Sequence, residues 1–297
     1  MSEDRQVGTA AAVLVAVIWG LSFVAASIVL TTLAPISLAT LRFIIASAIY
    51  SPVIVWEWRR GHRPNITDIK EMALIGFLSI SIYFWLQYTG VYYAGAGVSA
   101  VLVTGLIPVL TGLAGAALLK EKFNMGKGLG IGLGLTGVAL IALPKLTATS
   151  VDWLFFLGVS CLLGNAICWS LYGALGRRLM KRVGHPLMVT AYETVLGTIF
   201  LLPLSLTGDW GKVGALTGGQ WQSVLYLAIV CSSGGYLLWN FALSKLEAVK
   251  ASVFLYLEPV SAFVGEFVLF TRVPLPLTLL GGVGIMVGAL LTYLSKE

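Results

Sequence analysis

Three stretches of this chain, Gly8–Leu30, Trp153–Leu175 and Leu275–Leu294, contain no charged residue, and a fourth, Phe123–Leu143, contains only Lys127. At 1.5 Å per residue, a helix of roughly 20 apolar residues crosses a bilayer. Soluble folds do not accommodate such runs. A soluble domain carries about 25% charged residues and keeps a polar skin over its core. Here hydrophobic residues make up 58% and charged residues 11%. A membrane barrel needs strands of about 10 residues with alternating polarity, and that alternation is missing. The sequence therefore predicts an all-α membrane protein.

Ten spans are expected, at residues 8–30, 36–57, 72–93, 98–119, 125–144, 153–175, 187–206, 221–244, 250–270 and 275–294. The longest connection, from Glu57 to Glu71, has no room for a domain. The first run is too long for a signal-peptide core and is expected to be retained. Basic residues alternate across the loops. With the N-terminus in the cytoplasm, one face collects Arg5, Arg59, Arg60, Arg63, Lys70, Lys120, Lys122, Lys127, Arg177, Arg178, Lys181, Arg182, Lys245, Lys250 and Lys296. The other holds Lys145, Lys212 and Arg272, with Arg42 inside a span. This bias predicts both termini on the cytoplasmic side of the cell's inner membrane. It also explains the net charge of +6 without a nucleic-acid partner, which would need a basic stripe on one folded face.

The chain repeats itself. Val98–Val109 and Val249–Val260 are versions of one segment, with Pro108 and Pro259 at matching places. The same offset of 151 residues sets Pro35 against Pro186, Gly130 against Gly281 and Gly137 against Gly288, and Trp19 falls one residue from alignment with Trp169. Two related units follow, residues 1–148 and 149–297. Five spans per unit is an odd number, so the second unit enters the membrane from the opposite side. Inverted repeats of this kind are the architecture of alternating-access transporters.

Other chemistries find little support. Gly132-Leu-Gly-Leu-Thr-Gly137 matches a dinucleotide motif, but no strand precedes it. Gly126, Gly130 and Gly134 are four apart, as are Gly284 and Gly288. Such small-residue rows let helix backbones approach closely. They predict either packing between the fifth and tenth spans or a dimer face. Cys161, Cys168 and Cys231 lie within spans without metal-ligand spacing, and an odd count argues against a disulfide framework. The two histidines, His62 and His185, fall in loops. No catalytic dyad, metal site or cofactor motif is expected, and an enzyme is disfavoured.

What stands at depth is more informative. Arg42 and Glu193 occupy repeat-equivalent positions, and Glu258 and Glu266 lie in the ninth span. A charge at mid-bilayer costs about 3 kcal/mol on insertion scales and calls for a partner or a function. Glu258 precedes Pro259, whose missing N–H frees a backbone carbonyl. Polar and aromatic residues also share helix faces. These are Cys161, Asn165, Trp169 and Tyr172 in the sixth span, and Ser232, Tyr236 and Asn240, with Trp239 beside them, in the eighth. Tyr83 and Gln87 in the third span, and Ser252 and Tyr256 in the ninth, follow the same spacing. Buried amides need partners, so these faces are expected to point inward.

These residues resemble a known family. The ten spans in two halves, the N-terminal Val15-Ala-Val-Ile-Trp-Gly-Leu-Ser-Phe23, the segment Tyr93–Pro108 and the following Leu119-Lys-Glu121 are similar to the drug/metabolite transporter superfamily, EamA branch. Over its whole length the chain resembles the YddG-type amino-acid exporters of that branch. One departure is Arg272 near the end of the ninth span, where the first half has Glu121. The resemblance implies a central cavity formed by all spans except the fifth and tenth. By position its lining is Trp19, Tyr83, Gln87, Trp169, Tyr236, Trp239, Asn240, Tyr256 and Glu258, joined by Asn165 and Tyr172 from the face of the sixth span.

The expected function is export of neutral or aromatic amino acids, or related small metabolites, by alternating access. Proton exchange through Glu258 and facilitated flow down the substrate gradient are both compatible with these residues. The rival within transport is an exporter of drugs or organic cations held by a membrane carboxylate. The rival outside it is a membrane enzyme or scaffold without flux.

Overall fold

The computed structural model describes residues 3–120, 124–146, 153–270 and 276–295. Helix dominates this chain. In order come α1 (Glu3–Val29), α2 (Pro35–Arg59), α3 (Ile66–Gly76), α4 (Tyr83–Leu119), α5 (Met125–Leu146) and α6 (Trp153–Val183). Then follow α7 (Pro186–Leu201), α8 (Gly218–Leu225), α9 (Tyr236–Lys245), α10 (Ala248–Ser252), α11 (Leu257–Phe270) and α12 (Pro276–Leu294). Two π-helical stretches continue helices rather than end them: Phe77–Ile82 joins α3 to α4, and Tyr226–Gly235 joins α8 to α9. A 3-10 turn, Val253–Tyr256, joins α10 to α11.

Local sequence explains several boundaries. Pro35 and Pro186 open α2 and α7, where a missing N–H costs no helical bond. Asn65 caps α3 by accepting the Asp68 backbone N–H, and Thr217 and Gln220 form a reciprocal capping box on α8. Apolar side chains such as Leu14, Trp85, Phe156, Ile199 and Leu290 point outward, as a lipid solvent requires. Asp4–Val29, Pro35–Arg59, Ile66–Val91, Trp153–Val183 and Gly218–Lys245 are long and apolar enough to cross a membrane. Shorter apolar helices cover Val103–Leu119, Pro186–Leu201 and Leu280–Thr292.

One expectation is corrected. Residues 94–97 were expected to form a loop between the third and fourth spans, and they are helical. The partners of α4 along α6 nevertheless reverse their order. The backbone of Tyr83 meets Asn165, Gly90 meets Leu162 and Ala94 meets Gly158, whereas Ile107 meets Ser170 and Thr111 meets Gly173. The first part of α4 thus runs antiparallel to α6 and the last part parallel to it. A turn that keeps its backbone hydrogen bonds is favoured where water is scarce.

The glycine rows settle how the fifth and tenth spans use them. Gly126 approaches Ser295, Gly130 and Gly134 approach Gly288, and Gly137 approaches Gly284, so α5 and α12 pack antiparallel. A Cβ on Gly130 would lie 2.6 Å from the Gly288 carbonyl oxygen, and one on Gly288 would lie 2.5 Å from that of Gly130. Only glycine allows this approach.

The repeat also appears in the packing. Ser47 Oγ donates to Thr198 Oγ1 at 2.8 Å, a pair 151 residues apart. The Tyr256 hydroxyl reaches the Gly105 carbonyl at 3.1 Å across the same offset. The two π-helical stretches occupy matching places in the two halves. Glu121 and Arg272, and with them the Glu121/Arg272 asymmetry, lie outside the described residues, as do the side chains of Lys145 and Glu266.

Candidate functional site

Six aromatic side chains meet at the centre: Trp19 from α1, Tyr83 from α4, Trp169 and Tyr172 from α6, and Tyr236 and Trp239 from α9. Trp19 and Trp169 pack edge to face, with ring centroids 5.2 Å apart. Tyr83 lies 4.9 Å from Trp169, and Tyr172 lies 5.1 Å from it on the same helix face. Edge and tilted contacts of this kind add about 0.5–1.5 kcal/mol each beyond area burial.

The π-helical stretches position these rings. A π turn widens the helix and loosens its carbonyls from the regular ladder. The Cys231 carbonyl accepts the Trp19 indole N–H at 3.0 Å, and that of Ser233 accepts the Tyr50 hydroxyl at 2.7 Å. On the other stretch, the Ser79 carbonyl accepts the Tyr236 hydroxyl at 2.8 Å. Gly235 leaves room for the Trp19 indole, whose Nε1 would stand 2.5 Å from a Cβ at that position.

A polar layer lies among the rings. Asn165 Nδ2 donates to the Tyr83 carbonyl at 2.8 Å. Asn240 Nδ2 donates to Glu193 Oε1 at 2.6 Å and to Thr190 Oγ1 at 3.0 Å, and the Tyr172 hydroxyl donates to Glu193 Oε1 at 3.3 Å. Among the buried side-chain atoms without a hydrogen-bond partner in the described residues, four belong to the rings and polar groups just named: the indole nitrogens of Trp169 and Trp239, Asn165 Oδ1 and Glu193 Oε2. An unpaired buried polar group costs about 1–3 kcal/mol. Two donors and two acceptors are left open on residues of this centre.

The remaining sequence candidates are distributed around this centre. Gln87 and Tyr88 follow Tyr83 on the inward face of α4, and all three are only half-buried. Tyr83 packs on Trp169 and Phe84, and Tyr88 packs on Phe84. Glu258, 9% exposed, lies where α11 packs under Gly20, with its carbonyl 2.4 Å from where a Cβ on Gly20 would stand. Tyr256 stands apart from the rings. It packs on Gly134 of α5 and donates to the Gly105 carbonyl, with Ile131 and Val253 around it. Arg42 and Glu193 were noticed in the sequence as buried charges but not placed among the lining residues. Arg42 is 6% exposed and Glu193 is fully buried, and they do not pair with each other. Their equivalent positions in the repeat and their opposite charges were the available signal.

Ion pairs close one end of the bundle. Lys127 meets Glu247 at 2.5 Å, Arg182 spans Asp68 and Glu71, and Lys245 meets Asp4. His62 and His185 converge on buried Glu57, with nitrogens 2.6 and 3.4 Å from its Oε2. These three residues offer ligand atoms within 4.8 Å of one another, a spacing that a metal ion can use. However, His185 Nδ1 accepts the Met188 backbone N–H at 3.3 Å. One nitrogen of His185 is thereby engaged by the backbone, and the direct hydrogen bond to Glu57 is made by His62 Nδ1. The opposite end is tied mostly by uncharged donors. Gln220 Nε2 reaches the Ile28 carbonyl and the hydroxyls of Thr31 and Thr32. Asp209 accepts from Ala34 N at 2.9 Å and from Ser37 Oγ at 2.6 Å. Partial burial pushes the Asp209 carboxyl up, but the donors from Ser37, Ala34 and Lys212 outweigh it and hold it at about 2.

The EamA-like transporter family matches this chain twice, at residues 6–143 and 156–294. The chain belongs to that family. It is a multi-pass membrane transporter built from two EamA units, not an enzyme. An uncharacterized transporter of Archaeoglobus fulgidus is 29% identical over 285 residues, covering 94% of this chain and 95% of its own. A probable terminal-alkyne amino-acid exporter of Streptantibioticus cattleyicolor is 30% identical over 222 residues, covering 74% of this chain and 71% of its own. A solved crystal structure shares the fold, with a TM-score of 0.79 at 20% identity over 98% of this chain and 96% of that one. In this EamA protein the paired units meet along the α5–α12 seam and around the aromatic centre.

Proposed function

We propose that this EamA protein exports neutral or aromatic amino acids, or related small metabolites, by alternating access. The observation that carries this reading is the aromatic centre with its four unpartnered polar atoms. Rings bury an apolar side chain, while open indole N–H groups and carboxyl and amide oxygens pair with a zwitterion. The likeness to a relative named as a probable amino-acid exporter supports the substrate class. In this reading units 1–148 and 149–297 are inverted with respect to each other, ten helices cross the inner membrane, and both termini face the cytoplasm. The ion-paired end is then the cytoplasmic mouth, closed, and the half-buried Tyr83, Gln87 and Tyr88 belong to the opposite half. Protons are the candidate coupling ion, with Glu258 as their carrier.

One observation favours a second reading, export of organic cations. Glu193 and Glu258 are buried carboxylates that form no ion pair with any described residue. Counterflow in proteoliposomes separates the two readings. Labelled neutral and aromatic amino acids are expected to exchange, and a lipophilic cation to compete weakly. Exchange of the cation alone sinks the amino-acid reading, and exchange of neither sinks both.

A further inference from the structure

Arg42 carries a full positive charge in the interior of a membrane protein, and no carboxylate of the described residues pairs with it. Its Nε donates to Ser232 Oγ at 2.7 Å. The guanidinium carbon lies 5.3 Å from the Phe43 ring centroid and 5.2 Å from that of Phe84, and the Tyr88 hydroxyl lies beside it. These contacts fix the plane of the group. Ring faces attract a cation but do not replace a counter-charge. Beyond Ser232 and the Tyr88 hydroxyl, the guanidinium has no described side-chain partner, and its terminal nitrogens, Nη1 and Nη2, are outside the set of fully buried orphan atoms. Their edge therefore keeps some accessible surface beside the half-buried Tyr88, with Tyr83 near it. Two parallel N–H groups at such an edge match a carboxylate.

The geometry points to Arg42 as the anchor for a carboxylate on the transported molecule, a specificity-determining residue that makes the carrier take carboxylate-bearing solutes and reject simple amines. This assignment rests on the amino-acid reading given above and narrows it. Glu193, the repeat counterpart of Arg42, holds Asn240 and Tyr172 through one oxygen. It leaves the anion-binding role to one half of the molecule.

The test uses the full-length protein in lipid nanodiscs and three probes that share one ring: L-phenylalanine, 3-phenylpropionate and phenethylamine. Affinities come from calorimetry. Arg42→Gln is expected to weaken L-phenylalanine and 3-phenylpropionate by about 10–100-fold, the worth of a charge-assisted pair, and phenethylamine by less than about 3-fold. Arg42→Lys keeps the charge, loses the fork and falls between. It also serves as the folded control if Arg42→Gln is poorly produced, because a carboxylate-selective loss in Arg42→Lys supports the assignment. An equal loss for all three probes in either variant assigns Arg42 a structural role and overturns the proposal. Phenethylamine binding to the unaltered protein as tightly as L-phenylalanine overturns it while leaving a cation exporter standing. Binding of none of the three removes the amino-acid reading and this assignment with it.

Discussion

The fourth helix of each half carries the same proline and comes out differently. In the first half, α4 runs through Pro108 without interruption. In the second, the chain before Pro259 breaks into α10, the 3-10 turn and α11. A proline in a helix removes one hydrogen bond and crowds the preceding turn, but here it does not alone decide the backbone. Tyr256 is one difference between the two segments. Its ring presses against Gly134, and its hydroxyl reaches Gly105, the residue equivalent to itself in the first half. One half supplies a bulky donor and the other a bare carbonyl. Repeat symmetry sets where the halves meet, and departures from it set what each contributes there.

The sharpest way to break this comparison is at Glu258, which faces the position of Ile107 in the other half. Glu258→Gln is expected to abolish transport driven by a pH gradient in liposomes and to leave counterflow intact. Unchanged pH coupling would remove Glu258 as the proton carrier. The next effect in size lies on the α5–α12 seam. Gly288→Ala places a methyl against the Gly130 carbonyl and is expected to cost about 2–3 kcal/mol in thermal unfolding. Gly132→Ala meets nothing within 4 Å and is expected to be neutral or stabilising by about 0.5 kcal/mol.

Two smaller effects sharpen the contrast. Trp19→Phe deletes a bond to the Cys231 carbonyl and should cost about 1 kcal/mol of stability. Trp169→Phe deletes an unpartnered N–H, so it should leave stability nearly unchanged and weaken substrate binding about 3–10-fold. The reverse pattern would show that the two tryptophans have exchanged roles. Asp209→Asn is the mildest, with an expected loss of about 1 kcal/mol at neutral pH after allowing for solvent screening. The carboxyl titrates at about 2 in the folded protein. An unfolded aspartate titrates near about 3.9. The stabilisation is therefore complete above the higher value and disappears as pH falls through the lower one. The difference between variant and wild type, followed by unfolding between pH 5 and 2, should shrink in that window.

Much of the architecture was legible because lipid simplifies the code. Long apolar runs have only one outlet, and the glycine rows at four-residue spacing marked the α5–α12 seam. The inward faces of Trp169, Tyr172 and Tyr236 followed from helical spacing, with Trp239 beside them. Tyr256 satisfied the same spacing and went elsewhere, because the 3-10 turn beneath it changes the residues per turn and rotates its face. The helical residues at 94–97 were hidden because Gly95 and Gly97 read as loop punctuation in water. The π-helical stretches carry no residue pattern of their own. They arise from packing, and so does the use of their carbonyls by Trp19, Tyr50 and Tyr236.

The unequal chemistry of the two ends has a consequence for the medium in which the protein works. Ionic strength screens exposed charges over about 8 Å at physiological salt and much less at higher concentrations. The contacts of Arg182 and Lys245 are partly or largely exposed and feel that screening, whereas Lys127 is fully buried and does not. At the far end, Gln220 and its hydroxyl and carbonyl partners carry no net charge to screen. Electrolyte therefore acts on several contacts at one mouth and, among the described ion pairs of the other, on the exposed Asp209–Lys212 pair alone, with Lys127 and Glu247 as the part of the ionic mouth that salt loosens last.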